Sequence, residues 1–198
     1  MAFRRSTLAW VAVLWLPLTT ACASAIDPTP GSAALAPLDF YPLRAGNAWS
    51  YDVDTGERPT TLAVTHVETI NGSIAEVHTA KAVVRYEVLP DGIRVSTTDA
   101  WLIRAPIVVG ATWPGLGGRT AKLVSTNVVA ETLAGRFDRC IEVSEFGGEL
   151  ELEVSTVYCP GVGPVLVTST MRSKMSERVL TVSARLRGYS VSPRASDR

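Results

Sequence analysis

From Trp49 to Leu186, apolar side chains recur at every second position rather than every third or fourth. Trp49, Tyr51 and Val53 alternate with polar neighbours, and so do Val84, Tyr86 and Val88, Ile141 and Val143, and Leu152 and Val154. Two is the period of a strand, whose successive side chains point to opposite faces, so a sheet with one buried face reads as apolar-polar alternation. Turn residues punctuate the runs. Asn71-Gly72 predicts a two-residue turn, because both central positions must accept positive φ, joining residues 60–70 to residues 73–79. A two-residue turn at Asp91-Gly92 pairs Val88 with Val95 and leaves Val84, Tyr86, Val88, Ile93 and Val95 on one face.

Further along, residues 120–133 read as a strand rich in Val and Thr that turns at Ala134-Gly135 into a long hairpin. With Gly147-Gly148 as that hairpin's turn, Ile141 opposes Val154, Val143 opposes Leu152, and Glu142 meets Glu153 outside, an unfavourable pair. Val165 to Val167 and Val179 to Leu186 supply the last two strands, after the break at Pro160-Gly161-Val162-Gly163-Pro164. About ten short strands with no helical period predict an all-β antiparallel meander, arranged as a barrel, half-barrel or sandwich. The opening strand also has an echo. Pro42, Leu43, Gly46 and Trp49 are matched 64 positions later by Pro106, Ile107, Gly110 and Trp113, which suggests an internal duplication.

The first residues belong to another regime. Arg4 and Arg5 precede an apolar run from Leu8 to Leu18, the length of a signal-peptide core and too short to span a bilayer, so the chain is expected to be exported. Two processing readings compete. Leu18-Thr19-Thr20-Ala21-Cys22 resembles a bacterial lipobox, with Cys22 lipidated as the new N-terminus, whereas Ala23-Ser24-Ala25 fits ordinary cleavage and a soluble protein starting near Ile26. Lipidation is preferred, because Cys22 stands where the apolar leader gives way to a Pro- and Ala-rich stretch that reads as a tether. By resemblance to Gram-negative lipoproteins, Ala23 in place of Asp implies the outer membrane, facing the periplasm. The expected organisation is therefore a signal peptide over 1–22, a tether over 23–38, one domain over 39–191 and a disordered tail over 192–198.

Charge excludes one class of partner. The 19 basic and 19 acidic residues cancel, and removing the leader leaves a net charge of −2 with no basic cluster, so nucleic acid is not an expected partner. The three cysteines divide into Cys22 for lipid and the pair Cys140 and Cys159, left in an oxidising space and expected to form a disulfide. The Gly147-Gly148 register pairs Cys140 with Ser155, yet parity keeps both sulfurs on one face, so a longer loop would join them.

Candidate chemistry is sparse. His66 and His78 are the only histidines, and an Asn71-Gly72 turn sends them to opposite faces of the sheet, so no metal site is expected. Glu142, Glu145, Glu149, Glu151 and Glu153 read as a solvated outer face rather than a calcium site. No Gly-x-Ser-x-Gly elbow occurs, and Gly115-Leu116-Gly117-Gly118-Arg119 lacks the Lys-Ser/Thr ending of a phosphate loop. Neither catalytic residues nor a cofactor is expected.

Aromatic-Pro-Leu-x-x-Gly-Asn-x-Trp-x-Tyr over Tyr41 to Tyr51, with Gly135-x-Phe137-Asp138-x-Cys140 and Tyr158-Cys159-Pro160-Gly161-Val162-Gly163-Pro164-Val165, resembles a broad group of small bacterial secreted lipoproteins of unknown function. The resemblance spans roughly residues 40–190 and implies an all-β, periplasm-facing domain without implying an activity. The expectation is a non-enzymatic binding or assembly module held to a membrane by its lipid, with an unknown envelope partner or ligand. A carrier or chaperone for an apolar ligand is the alternative, and an envelope hydrolase is less favoured.

Overall fold

A computed structural model of the chain describes residues 35–56, 59–148, 151–172 and 179–192. The signal peptide, Cys22, most of the expected tether, Glu149 and residues 193–198 lie outside the described residues. A one-turn helix, α1 (Pro37–Phe40), leads into twelve strands: β1 (Ala48–Asp54), β2 (Thr61–Asn71), β3 (Ile74–Thr79), β4 (Val83–Leu89), β5 (Gly92–Val95) and β6 (Trp101–Arg104), then β7 (Thr112–Pro114), β8 (Thr120–Thr132), β9 (Gly135–Phe146), β10 (Leu152–Cys159), β11 (Gly163–Arg172) and β12 (Val179–Ser190). Two more strands form than the alternation predicts, because β6 and β7 are only four and three residues long.

All twelve form one antiparallel sheet in the order β6-β5-β4-β3-β2-β1-β12-β11-β10-β9-β8-β7. Each strand lies beside its sequence neighbour, and the first closes against the last, so the sheet curls into a nearly closed barrel. Only β6 and β7 fail to pair among the described strands. A side chain spans the gap: the Trp113 indole N–H, on β7, donates to the Trp101 carbonyl, on β6, at 3.1 Å.

Three of the sequence-based registers are altered, each for an identifiable reason. The β4–β5 turn is Pro90-Asp91, with Leu89 opposite Gly92 and Val88 opposite Ile93. That is a shift of two, so the predicted shared face survives. The β9–β10 loop is longer than Gly147-Gly148, and Val154 pairs with Glu145 and Tyr158 with Ile141. This shift of four again keeps parity, and it removes the Glu142–Glu153 clash. Glu142 now stands opposite Val157 and accepts from the Ser155 hydroxyl at 2.6 Å. In β2–β3 the turn moves to Gly72-Ser73 and an extra residue, Glu68, bulges between Val67 and Thr69. One residue is an odd shift, so it turns every side chain beyond the bulge to the other face.

The duplication has a structural counterpart. Gly46 N–H donates to the Val67 carbonyl and Val67 N–H to Asn47, just as Gly110 donates to Leu123 and Leu123 to Ala111. Asn47 N–H reaches back to Arg44 as Ala111 N–H reaches back to Val108. Both glycines hold φ near +90°, at 82° and 93°, a region open chiefly to Gly. Each copy thus bends the chain into a strand whose second residue is a buried Trp, 1% exposed at Trp49 and 4% at Trp113.

The N-terminal segment packs as part of the domain. Pro37 and Phe40 are buried, Leu35 and Leu38 pack on the core, and the Asp39 carbonyl accepts from Gly161 N–H in the β10–β11 turn at 2.7 Å. The folded region therefore starts within the stretch expected to be tether. At the other end Ser192, expected to belong to the tail, donates its N–H to the buried Asn47 Oδ1 at 2.9 Å. Asn47 Nδ2 donates in turn to the Pro42 carbonyl at 2.6 Å, so one side chain ties the entry of β1 to the exit of β12.

Equivalent packing predicts equivalent cost. Trp49→Ala and Trp113→Ala should each lower unfolding free energy by about 3 to 5 kcal/mol in urea titrations. A loss below about 1 kcal/mol at either position would contradict the equivalence of the two copies.

Candidate functional site

Inward positions of the barrel form two zones. Near α1, aromatic groups fill the lumen. Tyr41 packs edge-on against Trp49 with ring centroids 5.3 Å apart, and lies 6.1 Å from Tyr86 and 6.2 Å from Tyr158. Their polar atoms are placed by strand ends: the Trp49 indole N–H donates to the Val162 carbonyl at 2.6 Å and the Tyr51 hydroxyl to the Pro164 carbonyl at 2.9 Å. Gly163 is required here, because a Cβ would stand 3.0 Å from the Trp49 indole nitrogen and its φ is +114°. Burial pushes the Tyr86 phenol up to about 12, with the Glu145 carboxylate adding to it. Desolvation likewise raises Tyr41, Tyr51 and Tyr158 well above the usual phenol range, and negative charge on neighbouring groups raises them further.

Cys140 and Cys159 meet beside this cluster. They form the disulfide expected from the sequence, with Cα atoms 4.2 Å apart and a sequence separation of 19. The longer β9–β10 loop that displaced the predicted turn is what places them together. Closing a loop of that size contributes about 3 kcal/mol through the unfolded chain's lost entropy. Both thiols are consumed, so neither is a nucleophile.

Glu145 corrects the reading of the acidic hairpin as wholly solvated. It is 7% exposed and projects inward, where its Oε2 accepts from Leu116 N–H at 3.0 Å and from Arg119 Nη2 at 3.0 Å. The Gly115 to Arg119 segment is a short 3-10 turn (Leu116–Gly118) folded over this carboxylate, and a Cβ on Gly115 would meet Glu145 Oε2 at 2.9 Å. An ion pair this sheltered is costly to break from one side, on the order of 3 to 5 kcal/mol, because the remaining charge has no partner. Its signal was available in the alternation: Ile141, Val143 and Glu145 occupy successive inward positions.

Away from α1 the lumen is less filled. Val53, Ala184 and Val167 are register partners in one row, and Val182, Ser169 and Val154 form the next; all six are only half-buried. All but Val182 are paired on both sides, and each continues a row that ends in buried Thr156 and Val143 or in Glu145 and Ala121. Their exposed surface therefore faces the lumen. The result is a stretch of largely apolar, partly exposed inward surface, which continues at one end into the row of the Arg119–Glu145 pair.

The histidines sit elsewhere, and not as the sequence suggests. The Glu68 bulge sets His66 directly opposite His78, on the outer face, with ring centroids 5.4 Å apart. Neither reaches the lumen. Among the described inward positions there is thus no histidine, and both cysteines are bridged.

No family model matches the chain, and no curated protein matches it. Among solved structures, a protein from Bacteroides fragilis described as exported, with a YmcC-like fold, has a TM-score of 0.49 at 14% identity, covering 74% of this chain and 96% of its own. A second, described as a lipoprotein from Parabacteroides distasonis, has a TM-score of 0.46 at 12% identity, covering 76% and 98%. Neither likeness assigns this chain a role.

The buried phenols predict an alkaline limit to stability. A phenol whose folded value exceeds its unfolded value stabilises fully below about pH 10, and that contribution is lost as pH rises toward its folded value. The urea midpoint should therefore fall above about pH 10, and Tyr86→Phe, whose parent group titrates at about 12, should flatten the fall. A midpoint unchanged between pH 8 and pH 11 would contradict the burial of these groups.

Proposed function

We propose that this protein is a lipid-anchored, non-catalytic barrel of the cell envelope that binds an apolar ligand in the half-filled end of its lumen. The observation that carries the reading is the set of half-buried inward residues: Val53, Val154, Val167, Val182 and Ala184 present apolar surface that the protein's own side chains cover only in part. Apolar surface held inside a rigid sheet is a preformed site for an apolar molecule, since the ligand gains burial without the protein reorganising. The aromatic cluster suits a ligand with rings or unsaturated chains, and the Arg119–Glu145 pair offers a polar group one.

Export and anchoring rest on the leader, on the Cys22 lipobox and on a disulfide that suits an oxidising compartment. Attachment through several acyl chains would be stable, leaving the barrel at the membrane surface, where apolar ligands are exchanged.

Two measurements address the two halves of this reading. In cells fed labelled fatty acid, the wild type should be marked and Cys22→Ser should not; equal labelling, or an N-terminus at Ile26, would replace the anchored form with a soluble one. For the lumen, a naphthylamine dye that brightens in apolar surroundings should bind saturably. Ala184→Trp, which adds bulk to this inward surface, should weaken that binding at least about tenfold while circular dichroism shows the sheet retained. Unchanged dye affinity in the folded variant would reject the lumen as the site.

A further inference from the structure

We infer that the outer face of the β2–β3 hairpin carries a site for a borderline divalent transition cation, built from His66, His78 and Glu68. The inference does not depend on the lumen's ligand. Its foundation is the bulge. Without the extra residue at Glu68, the two histidines would occupy opposite faces of the sheet; with it, they are a directly opposed cross-strand pair. Side chains at such positions have Cβ atoms about 4.5 to 5.5 Å apart, close enough for two imidazole nitrogens to reach one metal at bonds of about 2.1 Å. Here the rings lie 5.4 Å apart, tilted by 36°.

Two further observations point to a ligand. His78 Nε2 is closed off from solvent and has no hydrogen-bond partner, the one buried side-chain polar atom so placed among the described residues. A buried ring nitrogen without a partner is costly, and an ion is one of the few things that satisfies it. Across the pair, the bulged Glu68 sets its carboxylate 3.1 Å from His66 Nε2, so a third donor of suitable hardness adjoins the imidazoles. Ala48 and Val83 occupy the flanking positions of the same cross-strand row, neither offering a competing polar partner. No three His, Cys, Asp or Glu side chains among the described residues already form a ligand set. Glu68 must therefore rotate from His66 onto the metal, with water completing the shell.

Zinc is the probe, applied to the full, tag-free protein in detergent. Calorimetry should show one saturable site, and the Cε1 protons of both histidines, the only two in the chain, should shift together in the wild type. His66→Ala and His78→Ala should each raise the dissociation constant at least about tenfold, and Glu68→Gln by a smaller factor. Because the wild-type spectrum reads both rings directly, a variant that fails to fold does not decide the question. Absence of saturable binding up to about 1 mM zinc, a shift of one histidine alone, or retained affinity in either folded histidine variant would overturn the site.

Discussion

The pairing of β1 with β12 is the constraint on which this architecture depends. It sets Ala48 against Ser190 and Asp54 against Ser183, joining the first and last strands of the domain. Every other pairing links strands adjacent in sequence, which cost little loop entropy to bring together; this one closes nearly the whole domain. With it, two six-stranded meanders become one sheet and β1 and β12 cease to be edges. The closure is locked by Asn47, whose amide serves the Pro42 carbonyl on one side and the Ser192 N–H on the other. At the remaining seam the short β6 and β7 are bridged by an indole, which limits the backbone left for unwanted pairing.

Curvature follows from irregularities rather than from smooth pairing. Registers break at Ser50/Tyr51, at Val67/Thr69, at Val157/Tyr158 and three times between β8 and β9. Each bulge bends its strand and raises its twist, and closing a sheet needs both. The β8–β9 arm, with three such breaks, brings the Phe137 ring centroid to 6.0 Å from that of Tyr189 and its tip at Thr132 and Leu133 beside Asp52 and Arg185. The same device that shapes the barrel decides which side chains share a face. That is how one bulged glutamate changes the chemistry available on the β2–β3 hairpin.

Inside, several polar groups are tied down. Phenol and indole donors reach carbonyls at the β10–β11 turn, where Gly163 keeps space for the Trp49 ring. The disulfide holds β9 to β10 beside this cluster, and the Arg119–Glu145 pair holds the β7–β8 turn against the lumen. Such anchoring fixes the aromatic cluster in place next to the partly exposed apolar inward surface.

Local alternation was enough to determine that this chain is an antiparallel all-β domain, which residues face inward at Val84, Tyr86, Val88, Ile93 and Val95, and that Cys140 and Cys159 share a face. Side-chain period is a property of each strand alone, and even shifts of register, as at β4–β5 and β9–β10, leave it unchanged. The repeated Pro-x-x-x-Gly-x-x-Trp was legible for the same reason: its turn and its indole are local. Tertiary structure alone decided the closure by β1 and β12, since pairing between distant strands leaves no mark in either. It also decided the odd shift at Glu68 that unites His66 with His78, and the Arg119 partner that meets the inward Glu145. A bulge costs little locally and is selected by the curvature of the whole sheet, and a buried carboxylate is tolerated only where folding delivers a partner such as Arg119.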